Sequence, residues 1–152
     1  MEHFIPVDVM GVYMTSTPHG LTPVVIIHNE GGEIMPIYVG MSEGVSINSA
    51  ANNEVTPRPM THDLMTAIIE QLGASISCVY IDEIKDGIYY ARLSLSYNGS
   101  TIEIDARPSD CISLAVRTGA PMRVHMSVFQ SSTINEDELE GMMTLDSFVN
   151  RG

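Results

Sequence analysis

The chain has 152 residues, with 19 acidic against 7 basic side chains and a formal net charge of −12. This length fits one domain with its own core. Such an acidic surface repels phosphate backbones and counts against broad, tight nucleic-acid binding, but it is compatible with a small metal-dependent site. No apolar stretch approaches the roughly 18 residues of a membrane span, and the N-terminus has no signal-peptide pattern. Cys78 and Cys111 lie in apolar patterns, so we expect reduced, buried thiols and a cytoplasmic location.

Extended runs rich in β-branched residues dominate the first half of the chain. Pro36 lies inside one of these runs, which favours an edge strand because proline cannot donate a backbone hydrogen bond. Thr61 is a suitable N-cap for a following helix, and Gly73 is suited to end that helix. The predicted elements of this half are strands over 4–16, 24–27 and 34–39, a short helix over 41–51, a loop over 52–60 and a helix over 62–72.

The second half repeats the order of strands followed by a helix. Asn98-Gly99 lies between two apolar runs and is a strong hairpin signal. Pro108 suits the first position of a helix, and Gly119 suits its end. The predicted elements are strands over 76–84, 89–97 and 101–106, a helix over 108–118, and a short strand and a brief helix over 122–131. Together these elements predict an α+β fold. The remainder is acidic and weakly patterned, which favours a tail or a short helix.

The two halves align without gaps at an offset of 67 residues. The matches fall on turn glycines and on the junction between the last strand and the helix, where geometry restricts the residue type. The matched pairs include Gly20 with Gly87, Gly32 with Gly99, Glu43 with Asp110, and Ser46 with Ser113. We therefore predict two βββα units joined by the helix at 62–72, with Glu43 and Asp110 in equivalent first turns.

A first cluster of polar side chains lies where the loop enters the middle helix. Arg58 precedes the helix, and His62 and Asp63 lie in its first turn. A histidine that titrates near neutrality is suited to acid, base or ligand roles. The alternative is plain capping, in which Asp63 complements the helix dipole and His62 is a solvated neighbour.

A second cluster lies between the last strand of the second half and the helix that follows. Asp105 and Arg107 come from the strand end, and Ser109 and Asp110 begin the helix. Such a junction binds anions, and paired carboxylates there can hold a divalent metal. Arg107 offers a fork suited to phosphate, and Arg117 lies two turns beyond Asp110. The alternative is a structural salt bridge between Arg107 and Asp110.

At these clusters the chain resembles the bifunctional nuclease family. The likeness runs from about residue 4 to residue 134 and includes three ordered segments, 58–64, 86–93 and 105–115, with 117–121 also fitting. The resemblance implies a mostly antiparallel, barrel-like sheet, nuclease activity on RNA and DNA, and a homodimer. It divides the chain into a domain over 1–134 and a C-terminal tail or short helix over 135–152.

The leading hypothesis is metal-assisted hydrolysis of phosphodiester bonds. A bound Mg²⁺ or Mn²⁺ would polarise the phosphate and activate water. The proposed catalytic residues are His62, Asp63, Arg107 and Asp110, the substrate-binding residues are Arg58, Ser109 and Arg117, and the metal ligands are Asp105, Asp110 and Glu43. The alternatives are a non-catalytic module that binds an anionic small molecule or a protein partner, and a purely architectural turn.

Overall fold

The computed structural model describes residues 3–150. Residues 1–2 of the predicted domain and residues 151–152 of the predicted C-terminal tail lie outside the described residues. The strands are β1 Phe4–Thr17, β2 Gly20–His28, β3 Ile34–Tyr38, β4 Ser75–Lys85, β5 Ile88–Tyr97, β6 Ser100–Ala106, β7 Met122–His125 and β8 Met143–Thr144. The helices are α1 Met41–Ala51, α2 Thr61–Gln71, α3 Pro108–Thr118, α4 Met126–Ser132, α5 Glu136–Glu140 and α6 Leu145–Val149.

The strands form one mostly antiparallel sheet in the order β3-β2-β1-β7-β4-β5-β6, with β8 paired to β1. The fold is therefore α+β, as predicted. The barrel-like closure was wrong, because β3 and β6 are the two ends of the order and do not pair with each other. The halves meet instead through β7, which pairs antiparallel with β1 and parallel with β4. Pro36 lies in β3 at one edge, where its missing N–H costs little.

Along the chain, β1, β2 and β3 precede α1, and β4, β5 and β6 precede α3. The helices α1 and α3 have the predicted bounds, and they start 67 residues apart. Asp86-Gly87 and Asn98-Gly99 form the two-residue turns of the second half, and all four residues have positive φ angles. These are the angles that a type I′ hairpin turn requires. The origin of the two halves as duplicated units stays a prediction.

The helices α1 and α3 lie on the sheet and contact each other. The first packs on β1 and β2, and the second packs on β4 and β5. Gly44 permits the close approach of α1 to the sheet, since a Cβ atom added there would lie 2.9 Å from the Cβ of Pro23. Ile47 of α1 and Ile112 of α3 are almost completely buried in the common core. The first turns of both helices are therefore held on one side of the sheet.

The start of α2 differs from the prediction by one residue. Met60 is the N-cap and Thr61 is the first helical residue. The carboxylate of Asp63 accepts a hydrogen bond of 2.8 Å from the N–H of Met60, which fixes this boundary. The predicted apolar face of α2 is largely exposed in the single chain, including Ile68 and Leu72.

The C-terminal segment packs against the domain. Its strand β8 pairs with β1, and Leu145 at the start of α6 is 1% exposed within the main core. Asp146 accepts hydrogen bonds from the side chains of Asn48 in α1 and of Asn52, which follows that helix. The division of the chain at residue 134 stays a prediction. The acidic composition of this segment thus does not prevent it from folding onto the sheet.

Both cysteines are free and buried, as predicted. Burial raises the pKa of the Cys111 thiol to about 12, so this thiol stays protonated at neutral pH. A protonated thiol is a weak nucleophile. Within residues 3–150, every helix is too short or too polar to cross a membrane.

Candidate active site

The starts of three helices converge on one group of polar side chains. Glu43 lies in the first turn of α1, His62 in the first turn of α2 and Asp110 in the first turn of α3. Arg107 is the N-cap of α3 and has an extended backbone. Pro108 follows it at the first helical position, where its fixed φ angle and missing N–H suit the helix start. This local sequence places Arg107 and Asp110 one turn apart on the same side.

Arg107 bridges the two predicted equivalent carboxylates. Its Nε lies 2.9 Å from Oδ2 of Asp110, and its Nη2 lies 3.2 Å from Oδ1. Its Nη1 lies 3.3 Å from Oε1 of Glu43. The Arg107 side chain is still 64% exposed, so part of its hydrogen-bonding capacity faces solvent. The salt bridge between Arg107 and Asp110 that the structural alternative predicts is therefore present. Glu43 is a second acidic partner of Arg107.

His62 is 8% exposed and makes contacts through both ring nitrogens. Its Nε2 lies 2.9 Å from Oδ1 of Asp110, and its Nδ1 lies 3.1 Å from Oγ of Ser46. The interpretation of His62 as a solvated neighbour was wrong, since the ring is enclosed between α1, α2 and α3. An imidazole that is oriented by a carboxylate is the arrangement that general acid–base catalysis requires.

The hydrogen bonds continue beyond Ser46 to a second ion pair. Ser46 Oγ lies 3.0 Å from Oγ of Ser113, which is 2.6 Å from Nη1 of Arg117. The Nε of Arg117 lies 2.8 Å from Oδ1 of Asp63. The Arg117 side chain is only 10% exposed. The predicted residues His62, Asp63, Arg107, Asp110, Arg117 and Glu43 thus belong to one continuous network.

Neither Ser46 nor Ser113 was predicted to belong to the site. Both matched each other in the alignment of the two halves, and they now contact each other where α1 crosses α3. A polar pair at equivalent positions of two helices was a signal of contact. Among residues 3–150, every buried side-chain nitrogen or oxygen has a hydrogen-bond partner, so the buried groups of this network are all hydrogen-bonded.

Two carboxylates of the network, Asp63 and Asp110, are stabilised in their charged forms. Burial by itself would raise the pKa of Asp110, but hydrogen bonds from Arg107 and His62 outweigh it and hold the pKa below its ordinary value of 3.8. The pKa of Asp63 is lowered by the N–H of Met60 and then by Arg117. Both groups are therefore ionised at neutral pH and accept hydrogen bonds only.

These shifts predict a loss of stability in acid. Because the folded pKa values of Asp63 and Asp110 lie below those of the unfolded chain, their contribution is complete above about pH 3.8. It is lost as the pH falls through the folded values. We expect the free energy of unfolding, measured with urea at decreasing pH, to decline more steeply below about pH 4 in the wild type than in Asp110→Asn. Parallel curves for the two proteins would contradict this assignment.

Three predicted site residues lie outside the hydrogen-bonded network. Asp105 is exposed at the end of β6 and lines a cavity together with Arg107 and Asp110. Ser109 is buried and lines a smaller cavity between the starts of α1 and α3. Arg58 is exposed in the loop before α2, and its carbonyl oxygen accepts a hydrogen bond from Thr56.

The cavity beside Arg107 is mostly apolar and has a volume of about 730 Å³. Its walls come from α2, β5 and β6, and include Ile68, Tyr90 and Ile104. A second cavity of about 410 Å³ is lined by Ser46, Asp63 and Arg117, among others. The network therefore runs between two cavities of different polarity.

The predicted metal ligands do not form a ligand set in this arrangement. The guanidinium of Arg107 lies between the carboxylates of Glu43 and Asp110 and bonds to both. Within residues 3–150, no group of three or more His, Cys, Asp or Glu side chains is placed to hold a metal ion. The Mg²⁺ or Mn²⁺ site stays a prediction.

Comparison with known proteins identifies the family. A model of the bifunctional nuclease domain matches residues 24–137. The chain belongs to the bifunctional nuclease domain family. The match includes α1, α2 and α3 and hence every side chain of the network. The resemblance noted in the sequence is confirmed.

Several relatives share this domain. An uncharacterized protein of Mycobacterium tuberculosis (strain ATCC 25618 / H37Rv) is 36% identical over 118 residues, which are 76% of this chain and 70% of the relative. Bifunctional nuclease 1 of Oryza sativa subsp. indica is 30% identical over 74% of this chain and 35% of its own length. Bifunctional nuclease 2 of Arabidopsis thaliana is 28% identical over 86% of this chain and 38% of its own length. The chain thus matches little more than a third of each plant nuclease.

Proposed function

We propose that this protein is a nuclease that hydrolyses phosphodiester bonds of RNA and DNA at the network around His62. The observation that carries the proposal is the contact of 2.9 Å between His62 and Asp110, made by a nearly buried imidazole in a network that also contains Arg107 and Arg117. The family supports the same activity, since the plant relatives are named bifunctional nucleases.

In this proposal His62 is the acid–base group. Asp110 is its orienting carboxylate, and the charge on Asp110 stabilises the imidazolium that forms when His62 takes a proton. Arg117 lies on the same cavity as Ser46 and is placed to stabilise negative charge on the reacting phosphate. Arg107 directs its exposed N–H groups toward a neighbouring phosphate of the same strand. Asp63 holds Arg117, and Arg58 and Ser109 contribute to the substrate surface.

The direct test is cleavage of single-stranded RNA and DNA by highly purified protein. We expect cleavage in buffer with EDTA as well as with Mg²⁺, because Arg107 already supplies the positive charge between the two carboxylates. Cleavage only with Mg²⁺ or Mn²⁺ would support the metal hypothesis. Cleavage of neither polymer under either condition would refute the proposed function.

Arg107→Ala is expected to raise the substrate KM by about tenfold or more, because a bidentate phosphate contact is lost. The melting temperature should barely change, since an exposed ion pair contributes about 0–1 kcal/mol. Steady-state cleavage kinetics and a thermal melt measure the two effects. Arg107→Lys is the matched control, which keeps the charge but loses the fork. A large drop in melting temperature with unchanged kinetics would instead support the architectural alternative.

We also propose that the protein is a homodimer in the cytoplasm. The support for the dimer is an apolar surface that the single chain leaves uncovered, formed by Leu64 and Ile68 of α2, by Leu72 at the end of that helix, and by Ile102 and Ile104 of the edge strand β6. Contiguous apolar surface of this kind marks an interaction site. Sedimentation equilibrium tests the dimer, and a monomer at micromolar concentration would exclude it.

A non-catalytic role is favoured by one observation, the apolar cavity of about 730 Å³ that ends at Arg107. Its lining fits an anionic small molecule with an apolar body, whose charge would meet the guanidinium. Under this alternative the pure protein cleaves nothing, and a ligand of that class raises its melting temperature. Thermal melts with short-chain fatty acids and nucleoside monophosphates distinguish this role from catalysis.

We further infer that the site lies on the junction of two related halves. The support is the contact between Ser46 and Ser113 and the common cation between Glu43 and Asp110, since both pairs were matched at the 67-residue offset. Contacts between equivalent residues are what a two-fold relation between α1 and α3 produces. Arg107 and His62 have different counterparts in the first half, so they give the junction its chemistry.

A further inference from the structure

We propose that Ser46 is the nucleophile of this site and forms a covalent phosphoserine intermediate with the substrate. Ser46, His62 and Asp110 form a continuous serine–histidine–carboxylate series, with contacts of 3.1 Å and 2.9 Å. Such a triad is recognised by its geometry and by the role of each group, whatever the order of its members in the chain. The inference rests on the proposed nuclease function and names its attacking group.

The direction of the hydrogen bonds follows from the two ends of the series. Ionised Asp110 can only accept, so Nε2 of His62 carries the hydrogen, and in the neutral ring Nδ1 is an acceptor. Ser46 Oγ–H therefore donates to Nδ1. Ser113 then donates to Ser46, and Arg117 donates to Ser113. The hydroxyl of Ser46 is thus aimed at its base, as a nucleophile must be.

Substrate can approach Ser46 from the cavity of about 410 Å³ that this residue lines. Arg117 lines the same cavity. Its Nη1 is connected to Ser46 through the hydroxyl of Ser113, which contacts both groups. A guanidinium at this position is suited to stabilise charge that develops on phosphate oxygens. The cavity is therefore lined by the proposed nucleophile and by a cation, and the base His62 contacts that nucleophile through Nδ1. A purely structural series of hydrogen bonds would need no cavity beside its hydroxyl.

The chemistry balances in two steps. In the first, Ser46 Oγ attacks phosphorus while its proton passes to Nδ1 of His62, and the bond from phosphorus to the leaving sugar oxygen breaks. The leaving oxygen departs on the face opposite Ser46 and takes a proton from solvent water, while His62 keeps the proton of Ser46. In the second, water attacks the phosphoserine from that opposite face and releases a proton to solvent, and His62 returns its proton to Ser46 Oγ as the bond to phosphorus breaks. Because the nucleophile belongs to the protein, the substrate needs no 2′-hydroxyl, as the proposed cleavage of both RNA and DNA requires.

The test uses an alkyne-tagged fluorophosphonate, which loses fluoride when an activated serine attacks its phosphorus. We expect one adduct on the wild-type protein, mapped to Ser46 by peptide mass spectrometry, and loss of nuclease activity in proportion to labelling. Ser46→Ala should show no adduct and at least about a hundredfold less cleavage. Ser49→Ala is the matched control, because Ser49 lines the same cavity on the same helix. Thermal melts of both variants confirm folding.

Two results separate this inference from the proposed function. Full cleavage by Ser46→Ala, with no wild-type adduct at Ser46, would overturn the nucleophile and leave the nuclease intact. An adduct at Ser46 in a pure protein that cleaves no nucleic acid would support the nucleophile and refute the nuclease. Slower labelling of Arg117→Lys, with the adduct still at Ser46, would support the electrostatic role of Arg117.

Discussion

Replacement of Asp110 by Asn is expected to lower nuclease activity by about 10²- to 10⁴-fold, the range that general acid–base catalysis contributes. Asp110 is the hydrogen-bond acceptor for both His62 and Arg107. An amide of the same shape has no charge to stabilise the imidazolium, and its NH₂ group favours the wrong tautomer of the ring. Initial cleavage rates of a labelled single-stranded RNA measure the effect.

The matched control is Asp105→Asn, because Asp105 lines the same cavity but lies outside the network. We expect this variant to retain activity within about threefold, since an exposed carboxylate at a strand end contributes little electrostatic energy. Equal losses in both variants would show that the general negative charge of the cavity matters, and the assignment of Asp110 would fail. Equal activity of wild type and Asp110→Asn would also exclude it.

Replacement of His62 by Gln is expected to lower the cleavage rate to about 10⁻² to 10⁻⁴ of the wild-type rate. We also expect it to destabilise the fold. His62 links Ser46 of α1 to Asp110 of α3 from its position on α2. A glutamine of different shape leaves at least one of these partners unsatisfied, which costs about 1–3 kcal/mol for a buried group. Cleavage assays measure the loss of rate, and urea denaturation measures the change in the free energy of unfolding.

His19→Gln is the control for this variant, since His19 is exposed in the turn between β1 and β2. It should change neither cleavage nor the free energy of unfolding by a measurable amount. If His62→Gln lost stability but cleaved at the wild-type rate, His62 would be a structural residue that connects three helices. The acid–base role would then be wrong.

Local features of the fold were predictable from the sequence because they depend on few residues. The turn at Asn98-Gly99 and the start of α3 at Pro108 follow from backbone preferences that no distant contact alters. The start of α2 shows the limit. Thr61 has the chemistry of an N-cap, but the bond from the Met60 N–H to Asp63 moves the boundary by one residue.

The arrangement of the sheet depended on pairing that the local pattern does not contain. The strand β7 is only four residues long, yet it joins the halves by pairing with β1 on one side and β4 on the other. Neither neighbour is adjacent to it in sequence. A barrel would need pairing between β3 and β6, and these strands end the sheet. The expectation of closure came from the resemblance and had no support from strand patterns.

The members of the site were partly predictable, while their contacts were not. Arg107 and Asp110 are three residues apart on one helix start, so their ion pair follows from local geometry. His62 and Asp110 are 48 residues apart, and only the packing of α2 against α3 brings them together. Ser46 and Ser113 carried a signal in the repeat, but a serine inside a helix indicates a site only when its neighbours are known.

The most direct test of the central claim is chemical rescue of a His62→Ala variant by imidazole. The account predicts that purified wild-type protein cleaves single-stranded RNA and DNA, that His62→Ala cleaves neither at a measurable rate, and that added imidazole restores part of the activity. A contaminating nuclease would not respond to imidazole in this way. Wild-type rates in His62→Ala without imidazole would contradict the claim that the His62–Asp110 pair performs phosphodiester hydrolysis.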